Sequence, residues 1–235
     1  MAIYAIGDLH LSFGTNKPMD IFGYNWDKHD QKIKKSWMEK VKDNDTVLLL
    51  GDFSWAMYLE ETFEDFKYLC SMPGKKIMLK GNHDYWWSTL AKMHSYLKNN
   101  EFENIDFIQN NSFLVENKIV CGTRGWVNVN NKENYPILRR ENLRLEMSIQ
   151  DGIKKYGDDK EIIICMHYPP FNKEKYIPDE INFVKTMQKY NVKYCLYGHL
   201  HGEAHRDAIE GNIDGIEYKL LSSDYKNFEL TQIYE

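Results

Sequence analysis

Short apolar runs rich in β-branched residues alternate along this chain with longer stretches that carry apolar residues at helical spacing. That alternation confines the chain to folds in which helices cover a largely parallel sheet. The runs at residues 2–6, 47–50, 77–79, 162–166 and 194–197 have almost no polar face, as expected of strands buried on both sides. Shorter strands are expected near residues 107–108, 113–115 and 119–121. Ile33, Trp37 and Val41 mark one helical face. Phe63, Phe66, Leu69 and Cys70 mark a second, stopped by Pro73-Gly74, and Leu90, Met93 and Leu97 mark a third. A long charged helix is expected after Pro136, another helix over residues 181–190, and antiparallel strands over residues 208–234. No linker, repeat or charge block divides the 235 residues. One α/β domain over residues 1–235 is therefore expected, with a second sheet packed on the first.

Thirty Lys+Arg against 35 Asp+Glu give a formal net charge of −5, which argues against a general nucleic-acid-binding surface. The four cysteines are scattered without a CxxC pair and read as free thiols in a reducing compartment. The opening MAIYAIGDLH has neither a basic region nor a long apolar stretch, and no run is long enough to span a membrane. A cytoplasmic protein without a membrane partner is expected. Nothing in the sequence fixes an oligomeric state.

Five strand-like runs end in turns that carry side chains able to bind metal: Gly7-Asp8-Leu9-His10, Gly51-Asp52, Gly81-Asn82-His83-Asp84, Met166-His167 and Gly198-His199-Leu200-His201. In α/β sheets ligands collect beyond the carboxyl ends of strands, so these turns can converge. Asp8 and His10 stand at i and i+2, a spacing that puts both on one face of an extended segment, and His199 and His201 repeat it. The donors are nitrogen and oxygen without sulfur, which suits manganese, iron, cobalt, nickel or zinc. Each turn alone has a structural explanation, since a lone histidine at a strand end usually satisfies local hydrogen bonds. All five in this order are hard to explain that way.

The order D-x-H, G-D, G-N-H-D, H, G-H-x-H resembles the calcineurin-like metallophosphoesterase superfamily, from Asp8 to His201. The resemblance implies a four-layer α/β/β/α sandwich of two mixed sheets flanked by helices. It also implies two divalent ions, manganese, iron or zinc, at the strand ends. By matching positions, one ion takes Asp8, His10, Asp52 and His201, the other takes Asp52, Asn82, His167 and His199, and Asp52 bridges them. His83 matches the histidine that contacts phosphate and assists the leaving group, and Asp84 the acid that orients it. The implied reaction is hydrolysis of a small phosphomonoester or phosphodiester, with a nucleotide as one candidate, by a hydroxide held between ions about 4 Å apart.

The second motif continues as GDFSWAM and the third ends in Asp84, where the protein phosphatases of this superfamily carry a further Asp-Arg and a Glu. A protein Ser/Thr phosphatase is therefore not expected, and one phosphate-binding arginine is missing. Arg124, between glycines in CGTRGW, is a candidate replacement. Trp55 and Trp126 are candidate walls for an aromatic group, although both also read as ordinary packing residues. Lys173 and Lys175 read as solvated loop residues, and His29, His94 and His205 as surface residues, with His205 close enough to His201 to be a candidate outer-shell group. A metal-free scaffold of the same fold is the alternative from another class, and a DNA nuclease a third that would need a basic track.

Overall fold

The computed structural model describes residues 1–126, 132–171 and 178–235. The chain runs β1 (Ile3–Ile6), α1 (His29–Lys40), β2 (Thr46–Leu49), α2 (Phe63–Cys70), β3 (Lys75–Leu79), α3 (Leu90–Asn99) and β4 (Ile105–Ile108). It continues through β5 (Ser112–Val115), β6 (Lys118–Thr123), α4 (Tyr135–Tyr156), β7 (Ile162–Met166), α5 (Phe183–Met187) and β8 (Val192–Tyr197). Three short strands follow, β9 (Gly211–Ile213), β10 (Ile216–Leu220) and β11 (Thr231–Tyr234).

Two mixed sheets form. The first has the order β11-β1-β2-β3-β4 and the second β5-β6-β7-β8-β10-β9. β1 to β4 are mutually parallel, as are β6, β7, β8 and β10, while the edge strands β11, β5 and β9 run antiparallel. The expectation that residues 208–234 form antiparallel strands is therefore only partly met. β10 joins β8 in parallel, so it too presents its carboxyl end to the site. The helix expected over residues 181–190 is shorter, with a 3-10 turn at Asp179–Ile181 leading into α5.

Three cores hold the layers, because the central strands bury both faces. Ile3, Ala5, Leu48 and Leu50 of the first sheet meet Val120, Ile163, Cys165 and Leu196 of the second. The opposite face of the first sheet packs Tyr4, Val47 and Met78 under Ile33, Trp37, Phe66 and Met93 of the helices. The opposite face of the second packs Ile119, Ile164 and Cys195 under Leu145, Ile149 and Met187. The result is helices, sheet, sheet, helices. Cys121, Cys165 and Cys195 are buried and free, and Cys70 is free and half-buried. Among the described residues, no helix is long and apolar enough to cross a membrane.

Candidate metal centre

The ends of β1, β2, β3, β7, β8 and β10 come together at one edge of the sandwich. Main-chain bonds join them there: Asp8 N–H donates to Gly51 O at 2.9 Å, Gly7 N–H to Leu221 O at 2.7 Å and Gly198 N–H to His167 O at 3.1 Å. The Ser223 hydroxyl lies 2.6 Å from both Gly7 O and Asp8 O, its two possible acceptors.

The turns are not extended. Asp8, His10, Asp52 and His199 have φ of 59°, 47°, 51° and 73°. The i, i+2 pairing of Asp8 with His10 thus comes from left-handed backbone and not from a strand. For residues with a Cβ this conformation costs about 1–2 kcal/mol each, and its clustering is typical of functional sites. Two glycines let the turns close. A Cβ on Gly81 would lie 2.1 Å from Asp52 Oδ1, and one on Gly198 would lie 2.5 Å from Asp8 Oδ2.

Among the described residues two sets of donor atoms that share Asp8 lie within 4.8 Å of one another, Asp8 with His10 and His201, and Asp8 with Asp52 and His167, and a third joins His201, His205 and Asp224. Asp52 Oδ2 stands 3.7 Å from His10 Nε2 and 3.6 Å from His167 Nε2. Its Oδ1 accepts the His83 N–H at 2.8 Å. Asp8 is completely buried, and its carboxylate accepts the His199 N–H at 3.1 Å. Burial opposes ionisation of Asp8, but His201, His167 and His10 hold its carboxyl below the usual range. Burial, and then Asp8 itself, push Asp52 up.

Ring nitrogens of His167, His10 and His201 face the same space. Burial holds His167 and His10 below the usual imidazole range, which favours the neutral ring. His167 Nδ1 lies 3.0 Å from Leu50 O, which fixes the N–H on that nitrogen. The Nε2 lone pair then faces Asn82 Oδ1 at 2.6 Å. One lone pair aimed at another, beside two carboxylates, is an arrangement that a cation balances. His201 differs from His167 and His10: its Nδ1 lies 2.7 Å from Asp224 Oδ1, and its buried Nε2 makes no hydrogen bond among the described residues. Burial opposes its charge, yet Asp8 and Asp224 raise His201 to about 10. The donor set fits divalent ions of the manganese, iron and zinc kind.

Asp224 escapes the sequence reading, although a signal for it exists. It follows β10 in Leu221-Ser222-Ser223-Asp224, another apolar run ending in an acid. Its Oδ2 also lies 3.2 Å from His205 Nε2. A carboxylate behind a ligating histidine fixes the tautomer and raises basicity. Asp224→Asn should therefore weaken manganese binding about 10–100-fold, as read by metal titration of the purified chain.

The expected contact between Asp84 and the His83 ring is not formed. The Asp84 carboxylate is fully buried and accepts from the N–H groups of Asp52 (2.9 Å), Phe53 (2.9 Å), Ser54 (3.2 Å) and Gly81 (2.7 Å). It also accepts from the Trp86 indole at 3.0 Å. Asp84 therefore ties the second and third turns together. Burial and Asp52 raise it to about 6. His83 has a buried Nδ1 without a partner. Burial, His167 and Lys17 push His83 down to about 4, opposite to the expected effect of an orienting acid.

The other candidates scatter. The His199 ring stands 5.1 Å from that of His167 and 4.2 Å from that of Tyr168, outside the donor sets above. Burial, followed by His167, lowers it to about 3. Trp55 stacks on His10 at 4.9 Å and meets His83 at 4.3 Å. Trp55, Trp26, His10, His83, His201 and Asp224 line part of a mainly apolar cavity of about 400 Å³. Trp126 lies under the Arg124 guanidinium at 4.8 Å and does not line that cavity. Arg124 opens onto a different cavity. His29 is buried against Trp26 and Phe228, not on the surface. Lys173 and Lys175 lie outside the described residues.

Comparison with known proteins places this geometry. A family model described as calcineurin-like phosphoesterase matches residues 1–203. A search of the curated proteins found no match. Among solved structures, a protein of unknown function, AQ665 from Aquifex aeolicus, is 18% identical with a TM-score of 0.50, over 98% of this chain and 95% of that one. TT1561 of Thermus thermophilus is 12% identical with a TM-score of 0.56, over 99% and 97%. Both are similar in fold. With the family match covering most of the sequence, from the first metal-capable turn to the last, this chain belongs to the calcineurin-like phosphoesterase family.

Proposed function

We propose that this chain hydrolyses small phosphate esters with two divalent ions held by Asp8, His10, Asp52, Asn82, His167, His199 and His201. The observation that carries the reading is His167, a buried imidazole whose Nε2 faces oxygen acceptors while Nδ1 is committed to Leu50 O. The ions, when bound, would supply Lewis acidity to the phosphoryl oxygens and acidify an attacking water. Asp52, reaching both imidazole groups through one oxygen, is the bridging residue in this reading. His83 contacts the phosphoryl or departing oxygen from the edge of the cage. Trp55 walls the leaving-group side, because the apolar cavity opens beside His83. No protein nucleophile is required.

Purified protein should hydrolyse a nitrophenyl phosphate ester with added manganese and lose that turnover in chelator. Metal analysis should find about two ions per chain, the number used in dinuclear phosphoryl-transfer sites. An ion-free chain without turnover would favour the scaffold instead. Trp55→Ala should raise KM for the aryl ester several-fold, since an aromatic contact contributes about 0.5–1.5 kcal/mol, and leave KM for an alkyl phosphate within about twofold. Steady-state kinetics on the two esters makes the comparison.

A further inference from the structure

Beside the cage lies a second cavity of about 490 Å³ whose chemistry is of another kind. Among the described residues four cationic side chains line it, Lys80, Arg124, Arg140 and Arg144, against one carboxylate, Glu141. In a chain with a formal net charge of −5 this is a local inversion of sign. Glu141 is almost fully buried and already engaged. Its Oε1 accepts from Arg144 Nη1 at 2.7 Å and lies 3.5 Å from Arg140 Nε. Its Oε2 accepts the Thr123 hydroxyl at 2.8 Å. Among the described residues neither Lys80 nor Arg124 pairs with an acid, and both are half-buried. Cations held together with so little counter-charge repel one another unless an anion joins them.

Among the described residues the cavity shares no side chain with the metal cage, which sets an anion held here apart from one held at the cage. Yet the two sites are neighbours. The chain leaves the cavity at Lys80 and reaches Asn82 two residues later, at most about 7 Å of extended backbone. Arg124 O accepts the N–H of His167 at 3.2 Å. Guanidinium forks match phosphoryl oxygens, and a phosphoryl group carrying about −1.5 to −2 charge answers this excess better than one carboxylate does.

We propose that the cavity lined by Lys80, Arg124 and Arg144 is a second anion subsite, so that the substrate is a small ester carrying two phosphoryl groups, one cleaved at the cage and one held here. This rests on the phosphoesterase reading above.

The test is a calorimetric titration of the full chain with inorganic pyrophosphate in the presence of chelator. Chelator removes the cations that would hold a phosphoryl group at the cage, and the Lys80 and Arg124 variants tell the two sites apart. Saturable binding is expected. Affinity should fall at least about tenfold in Lys80→Gln and in Arg124→Gln, as for a lost charge-assisted contact, and stay unchanged in Arg139→Gln, an exposed arginine of α4 outside the cavity. The first two variants sit at the ends of different strands, so a folding failure in one does not remove the test. In the manganese-loaded chain the same two variants should raise KM for an alkanediol bisphosphate at least about tenfold more than they raise KM for the monophosphate. No binding in chelator, or equal binding by variants and wild type, overturns the subsite. Tighter binding of oligothymidylate than of pyrophosphate, lost in the same variants, overturns the small substrate in favour of a nucleic-acid backbone. The titration contains no ester and no cation, so it can succeed where hydrolysis fails. A chain that cleaves monophosphates without binding pyrophosphate sinks the subsite alone.

Discussion

Asp52→Asn should lower manganese-dependent turnover of a nitrophenyl phosphate ester by at least about 10²–10³-fold, the range seen when one preorganised electrostatic contact is removed from an active site. The substitution keeps the size of the side chain and leaves an oxygen able to accept the His83 N–H, which Asp52 now does at 2.8 Å. What it removes is the negative charge between His10 Nε2 and His167 Nε2. That charge is costly in the cation-free chain, where burial and Asp8 both press the carboxyl toward its neutral form. The variant should therefore melt no lower than wild type in chelator while binding manganese less tightly. Function and stability are set against each other at this position. Wild-type turnover and metal content in Asp52→Asn would refute the bridging role. Thermal melts and metal analysis on the same samples decide it.

Asp84→Ala should have the largest effect on stability. Truncation leaves four backbone N–H groups and the Trp86 indole without their acceptor, in a place that is fully buried. An unsatisfied buried donor costs about 1–3 kcal/mol. Even with water entering the gap, a loss of at least about 4 kcal/mol is expected, a large share of a typical domain's roughly 5–15 kcal/mol. The urea midpoint should fall accordingly. Asp84→Asn should fall between wild type and the alanine variant, because its amide nitrogen meets N–H groups where an oxygen stood. An Asp84→Ala protein within about 1 kcal/mol of wild type would show that the carboxylate does not tie the turns together.

Much of this architecture was legible in the residues, because central parallel strands bury both faces and read as unbroken apolar runs. The rule that ligands gather at strand ends then located Asp8, Asp52, Asn82, His167 and His201. The same rule applies to Asp224, but β10 sits in a tail that resembles a set of hairpins. Its parallel pairing with β8 depends on contacts remote in sequence. Asp84 and His83 are adjacent in the chain and so read as partners, whereas the carboxylate turns inward to the backbone of the β2 turn. The left-handed backbone at Asp8 and His10 carries no glycine to announce it. The destination of Arg124 depends on the ends of β3, β4 and β6 lying side by side around one cavity, which spacing within one segment cannot show.

The division of labour between the two sheets has a mechanical consequence. The first supplies the oxygens of Asp8 and Asp52 with the ring of His10, and the second supplies the rings of His167, His199 and His201, with hydrocarbon such as Ile3, Leu48, Ile163 and Leu196 between them. Nonpolar contact resists separation but offers little directional resistance to sliding. The close-packed side chains in that layer therefore act as the spacer that keeps oxygen and nitrogen in alignment. A methylene added or removed there, far from any reacting atom, would be felt at the rim as a change in their offset.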